Sequence, residues 1–149
     1  MNITNTVLKI RERDNDMNKK WLAFIISFLL VAAIIGAGGK MYMDKRAEQK
    51  EAEKIEAERM SVEALKNTFE DIKSVEFEKS GYDAMTGAYG MFVKMTNKEG
   101  KTVSFTYNYE KNKPKETRGY ILEDEEVQAE GTTTEKVHVI YTNKKEEEI

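Results

Sequence analysis

The chain contains no cysteine, and histidine, proline and tryptophan occur once each. Without thiolates there is no disulfide framework, no cysteine-built metal site and no lipidated cysteine to hold the chain on a membrane. The lone histidine, His138, would have to serve any Ser/His/Asp triad, and no Gly-x-Ser-x-Gly elbow accompanies it. Set between Val137 and Val139, it reads as a strand residue on an outer face. An excess of one charge is lacking too: the net charge is −3 with both signs interspersed, which excludes a basic footprint for nucleic acid. No metal, cofactor or catalytic residue is expected.

One apolar run is present. From Trp21 to Gly39 no residue is charged and the only hydroxyl is Ser27. At ~1.5 Å per residue the run spans about the ~30 Å of a bilayer core. A core helix of a soluble domain would show a polar face every third or fourth residue, and this run shows none, so membrane lipid is its expected surrounding. Trp21 and Tyr42 fall where amphipathic rings favour the interface, with Lys19, Lys20 and Lys40 within reach of head groups.

The basic residues tie across the run: Lys9, Arg11, Arg13, Lys19 and Lys20 precede it, and Lys40, Lys45, Arg46, Lys50 and Lys54 follow. Orientation therefore rests on Met17, since Met-Asn-Lys-Lys before an apolar run is the short basic start of an export signal. Residues 1–20 read as a cytoplasmic tail with Met17 as an alternative start, and the rest as lying outside. Ala37 and Gly39 supply a small-x-small pattern ahead of Lys40. The run exceeds the ~7–15 residues of a signal core, which favours an uncleaved anchor over 21–39. Ala32/Gly36 and Ala33/Ala37 have the small-xxx-small spacing of helix self-association, although small residues are equally tolerated in lipid.

Residues 40–60 read as a charged helical spacer. "DKRAEQKEAEKIEAER" is made of strong helix formers, with opposite charges at helical offsets such as Glu51/Lys54 and Glu56/Arg59. Ile55, Val62 and Phe69 fit a heptad, but Glu48 and Glu58 interrupt the stripe, so a spacer is preferred to a coiled coil. Ser61 is placed to cap a fresh helix that opens the domain of residues 61–143, with Val62, Leu65, Phe69 and Ile72 on one face.

Beyond this the period changes to two. Val75 and Phe77 alternate with Glu76 and Glu78. Met91, Val93 and Met95 alternate with Phe92, Lys94 and Thr96. Val103, Phe105, Tyr107 and Tyr109 alternate with Ser104, Thr106 and Asn108. "NKEGK" (97–101) is a hairpin turn with Gly100 supplying positive φ. A weaker strand is expected at 119–122, a clear one at 136–142, and a charged tail over 144–149. The expected class is α+β: a transmembrane helix and charged stalk, then one helix on a four- to five-stranded antiparallel sheet.

"GYDAMTGAYG" (81–90) carries more apolar surface than a connector needs, so Tyr82, Met85 and Tyr89, together with Phe92 on the open sheet face, are the candidate partner-binding residues. "EKNKPKETRG" (110–119) reads as an exposed tip. "EGKT" (99–102) lacks the first glycine of a phosphate loop, because Met95 stands there, and it lies between strands. Glu123–Glu126 lack the spacing and central glycine of a calcium loop.

The stretch "ALKNTFEDIKSVEFEKSGYDAMTGAYGMFVKMTNKEGKTVSF" and the layout around it resemble small Gram-positive single-pass membrane proteins with an extracytoplasmic domain of unknown function. The helix followed by a meander is also similar to the cystatin-like layout. The resemblance implies an extracytoplasmic membrane protein and supplies no catalytic residue. The hairpin "NKEGK" departs from the loop that cystatins use against proteases. The expectation is a non-enzymatic module at the membrane that binds a cell-envelope protein or peptide. An immunity protein sited to meet a toxin is the near rival, and a cell-wall enzyme using Asp83 and Glu78 the distant one.

Overall fold

The computed structural model describes the backbone from Ile3 to Ile149 and side chains from Lys19 onward. Helix α1 (Ile3–Thr68) is followed by strands β1 (Ile72–Asp83), β2 (Ala88–Asn97), β3 (Thr102–Tyr109), β4 (His138–Ile140) and β5 (Glu146–Glu148). The chain divides into two compact units, Met1–Glu48 and Gln49–Ile149, and α1 contributes to both. The reading of Met17, and of the cations before Lys19, concerns side chains outside the described residues.

In the first unit the apolar run is helical throughout, and its large side chains stay exposed: Phe24 at 74% and Ile34 at 72%. This helix is long enough and apolar enough to cross a membrane. A Cβ added at Gly36, Gly38 or Gly39 would meet nothing within 4 Å.

In the second unit α1 packs on a five-stranded sheet of order β3-β2-β1-β4-β5. The α+β class and the alternation are as expected. Val75, Phe77, Met91, Val93, Met95, Val103, Phe105, Tyr107 and Tyr109 all face inward and join Ala57, Val62, Leu65 and Phe69 in one core. The 97–101 turn closes β2 to β3 with Gly100 at φ 85°.

The sheet is mixed, which corrects the all-antiparallel expectation. β1–β2, β2–β3 and β4–β5 are antiparallel, but β1 pairs with β4 in parallel, Val75 opposite Val139. The cause lies in the long connection from β3 to β4, which is clipped to the end of α1. Gly131 N–H donates to Thr68 C=O at 3.1 Å and Thr133 N–H to Lys66 C=O at 2.7 Å. Both satisfy carbonyls that a helix C-terminus leaves open. The buried Thr133 hydroxyl donates to Phe69 C=O and accepts from Ile72 N–H, at 2.8 and 3.1 Å, so the crossover delivers β4 beside the start of β1.

Six further expectations are corrected. The helix does not restart at Ser61: no glycine or proline lies between Asp44 and Thr68, and the Ser61 hydroxyl bonds back to Glu58 C=O at 2.8 Å. Burial begins earlier, with Ala57 and Glu58 fully enclosed, so the solvated spacer ends before residue 60. Ile72 belongs to β1, because Asp71 at φ 55° turns the chain out of the helix. Residues 144–149 are more than a tail: Glu146–Glu148 form edge strand β5, and Ile149 exchanges main-chain bonds with Val137. The segment 119–122 is irregular, with only an Asn108–Arg118 bridge before it, and the expected 136–142 strand is regular over His138–Ile140 alone.

Candidate functional site

The segment 81–90 is the end of the β1–β2 hairpin, with residues 84–87 as its turn. Asp83 shapes that turn: its Oδ1 accepts Met85 N–H at 2.9 Å and its carbonyl accepts Gly87 N–H at 2.8 Å. Gly87 sits at φ 72°, where a side chain would strain the backbone. The result is a tightly bonded turn whose outermost side chain, Met85, is 96% exposed.

Tyr82 lies opposite Tyr89 in the ladder, and their rings meet at 5.0 Å, tilted by 53°. Tyr89 is buried and Tyr82 is 59% exposed. Lys111 Nζ stands 5.6 Å from the centre of the Tyr89 ring, a cation–π distance. Phe92 does not join this group. It stands between Lys79 and Thr106 on the outer sheet face, while Tyr89 shares the inner-face parity of Met91 and Val93. Three of the four candidates therefore form one hairpin end and the fourth belongs to another surface.

On the outer face the cross-strand pair Gly81–Gly90 carries no side chain, and an added Cβ on either would meet nothing within 4 Å. An open cleft of about 560 Å³ results, rimmed by Asp83, Thr86, Asn108, Glu110 and Arg118. Arg118 is held at 3.6 Å from Glu110 and 3.8 Å from Glu116. Of the two carboxylates weighed for hydrolysis, only Asp83 lines this cleft. Glu78 is the extra residue of a β-bulge between Phe77 and Lys79 and points to solvent. His138 sits between glutamates of β5, with Nδ1 at 2.8 Å from Glu148 and Nε2 at 3.4 Å from Glu146. No group of metal-binding side chains is assembled among the described residues.

Comparison with protein families, with curated proteins and with solved structures returns no match.

Sequence reasoning missed a polar seam under α1. Glu58 is fully buried, and its carboxylate accepts from the Ser80 hydroxyl, from the Thr142 hydroxyl at 2.7 Å and from Thr142 N–H at 3.0 Å. One turn on, Ser61 Oγ and Tyr107 OH are 2.8 Å apart. Burial pushes the Tyr107 phenol well above its ordinary range. Further along, Glu147 accepts from Tyr141 OH at 2.7 Å and from Arg59 Nε at 3.2 Å. The Tyr141 hydroxyl and then the guanidinium hold the Glu147 carboxyl below the usual range, while burial raises Tyr141. These groups are fully engaged in joining helix to sheet. The signal was present in the sequence, because Glu58 interrupts an apolar stripe, which is where a buried and satisfied carboxylate would also fall.

Proposed function

We propose that the protein is a membrane-anchored binding module. Residues 21–39 hold it in the membrane with the N-terminus inside, and the α+β unit outside captures a cell-envelope protein or peptide without chemical turnover. The observation that carries this reading is the pairing of an apolar helix exposed on every side with a hairpin end that presents Tyr82 and Met85 to solvent on a tightly bonded turn. Exposed aromatic and methionine side chains on a rigid support are what a binding surface uses, since little conformational entropy is lost when a partner covers them. The buried Glu58 carboxylate and Tyr107 phenol have structural partners, while the Tyr109 hydroxyl is buried in the core without one.

Two experiments test the reading. The chain has no cysteine, so Asn112→Cys on the exposed 110–119 loop introduces a single thiol. Labelling by a membrane-impermeant reagent in intact cells, with the protein retained in the membrane fraction, is expected. A protected thiol would place the domain in the cytoplasm and end the envelope assignment. The partner surface is tested by Tyr82→Ala with Met85→Ser: cross-linked envelope proteins that co-purify with the wild type are expected to be lost. Their undiminished recovery would move the site elsewhere.

A further inference from the structure

The two edges of the sheet differ in kind. β5 is three glutamates long. β3 runs for eight residues, Thr-Val-Ser-Phe-Thr-Tyr-Asn-Tyr, with no charge, proline or glycine. Long uncharged edges invite strand addition, and proteins normally blunt them with charge, proline or brevity, as β5 is blunted here.

The direction of the main-chain groups on β3 follows from both of its ends. Asn97 N–H donates to Lys101 C=O at 2.9 Å, so 97 and 101 form a hydrogen-bonded pair. Alternation then turns the amides and carbonyls of Val103, Phe105, Tyr107 and Tyr109 towards β2, and those of Thr102, Ser104, Thr106 and Asn108 away from the sheet. The far end agrees, because Asn108 exchanges both of its main-chain bonds with Arg118, at 2.7 and 3.1 Å. Thr102, Ser104 and Thr106 have exposed side chains, and their outward N–H and C=O groups find no partner among the described residues.

The chain's own pairing stops for a local reason. Gly119 takes φ 63° and turns the segment off the edge directly after Arg118, and a Cβ there would lie 2.9 Å from Asn108 Nδ2. The edge thus accepts one antiparallel residue from the chain itself and leaves the next places free.

We infer that the Thr102–Thr106 edge of β3 is a docking site for an extended peptide segment of a partner protein, added as a further antiparallel strand in line with Arg118. The register sets the chemistry of that segment. Alternate residues fall beside Thr102, Ser104 and Thr106 and are small or β-branched and polar. The others fall on the side of Phe105, whose ring lies 5.7 Å from Phe69, itself 5.2 Å from Tyr120, and are apolar. The cations at the two ends are already paired, Lys101 with Glu126 and Arg118 with Glu110, so the segment carries no charge of its own along the edge. A second copy of the chain fits less well. Antiparallel self-pairing centred on Ser104 would bring Gly100 of that copy opposite Asn108, where Arg118 already stands. The edge is separate from the hairpin end, so this inference stands whether or not Tyr82 and Met85 bind a partner.

The test is site-resolved amide exchange on the full chain in detergent micelles, with the end-blocked peptide Lys-Thr-Val-Thr-Val-Thr-Lys as probe. Without probe, the amides of Ser104 and Thr106 are expected to exchange fast and those of Val103, Phe105 and Tyr107 slowly. At probe concentrations ten times the dissociation constant, exchange at Ser104 is expected to slow by about tenfold. Ser104→Pro removes an outward N–H that the fold does not use, so Phe105 and Tyr107 stay protected while the probe effect disappears. Should that variant unfold, Thr102→Lys with Thr106→Lys, which places charges on the edge, is expected to abolish the probe effect instead. Probe-free protection of Ser104, no slowing at millimolar probe, or slowing that survives the variants would overturn the inference. Protection that grows with protein concentration alone would overturn the peptide assignment in favour of a second copy.

Discussion

The inner seam of the α+β unit and the end of its β1–β2 hairpin handle polar and apolar groups in opposite ways. In the seam an ionisable side chain, Glu58, is sealed from water and engaged by Ser80 and Thr142. At the hairpin end an apolar side chain, Met85, is almost wholly in water although the turn beneath it is held by two bonds to Asp83. A buried carboxylate with its lone pairs occupied is part of the scaffold, because removing it strands its donors. An exposed methionine on a rigid turn adds nothing to the scaffold and is available to a partner. Unusual surroundings point to function only where the group in question is left unsatisfied.

Predictions that break or sharpen this contrast can be ranked by their effect on stability, measured by urea unfolding of the full chain in micelles and followed by tyrosine near-ultraviolet circular dichroism. Phe69→Ala should be largest, destabilising by roughly 3–5 kcal/mol, since the ring is fully buried against Phe105 and Tyr120. Glu58→Ala should follow at about 3 kcal/mol, with Glu58→Gln milder because the amide keeps an acceptor oxygen. A loss for Glu58→Ala below ~0.5 kcal/mol would remove Glu58 from the scaffold and make it a functional candidate.

Acid should act through Glu147. Its folded pKa is depressed below the ordinary 4.5, first by the Tyr141 hydroxyl and then by Arg59, so its contribution is complete above that value and fades as pH falls through the folded one. Glu147→Gln should flatten the decline in stability below about pH 4.5, and an unchanged decline would assign acid sensitivity to other carboxylates. Smallest of all, Tyr82→Ala and Met85→Ser should each stay within ~0.5 kcal/mol of wild type while removing the co-purifying partner. A larger destabilisation by Met85→Ser would move the hairpin end to the scaffold side of the contrast.

Much of the fold was legible in the sequence because it is encoded locally. The uninterrupted apolar run over 21–39, the period-two alternation of β1 to β3, the Gly100 turn and the excess of apolar residues in 81–90 each depend on neighbours a few positions apart. The candidate site was half legible. Tyr82 and Tyr89 come together because strand register follows from the turn, whereas Phe92, three residues beyond Tyr89 on the same strand, falls on the opposite face by alternation.

What only the tertiary structure decided rests on contacts between distant residues. The parallel β1–β4 pair depends on Thr133 clipping the end of α1, and β5 exists because β4 offers an edge to three glutamates that would otherwise read as tail. Glu58 and Ser61 look like a surface residue and a helix cap, and their real roles appear only when Thr142 and Tyr107 are delivered from far along the chain. Local pattern fixes which face of an element is apolar. Which elements meet, and which polar groups are sealed between them, is settled by long-range packing and by the need to pair every buried donor.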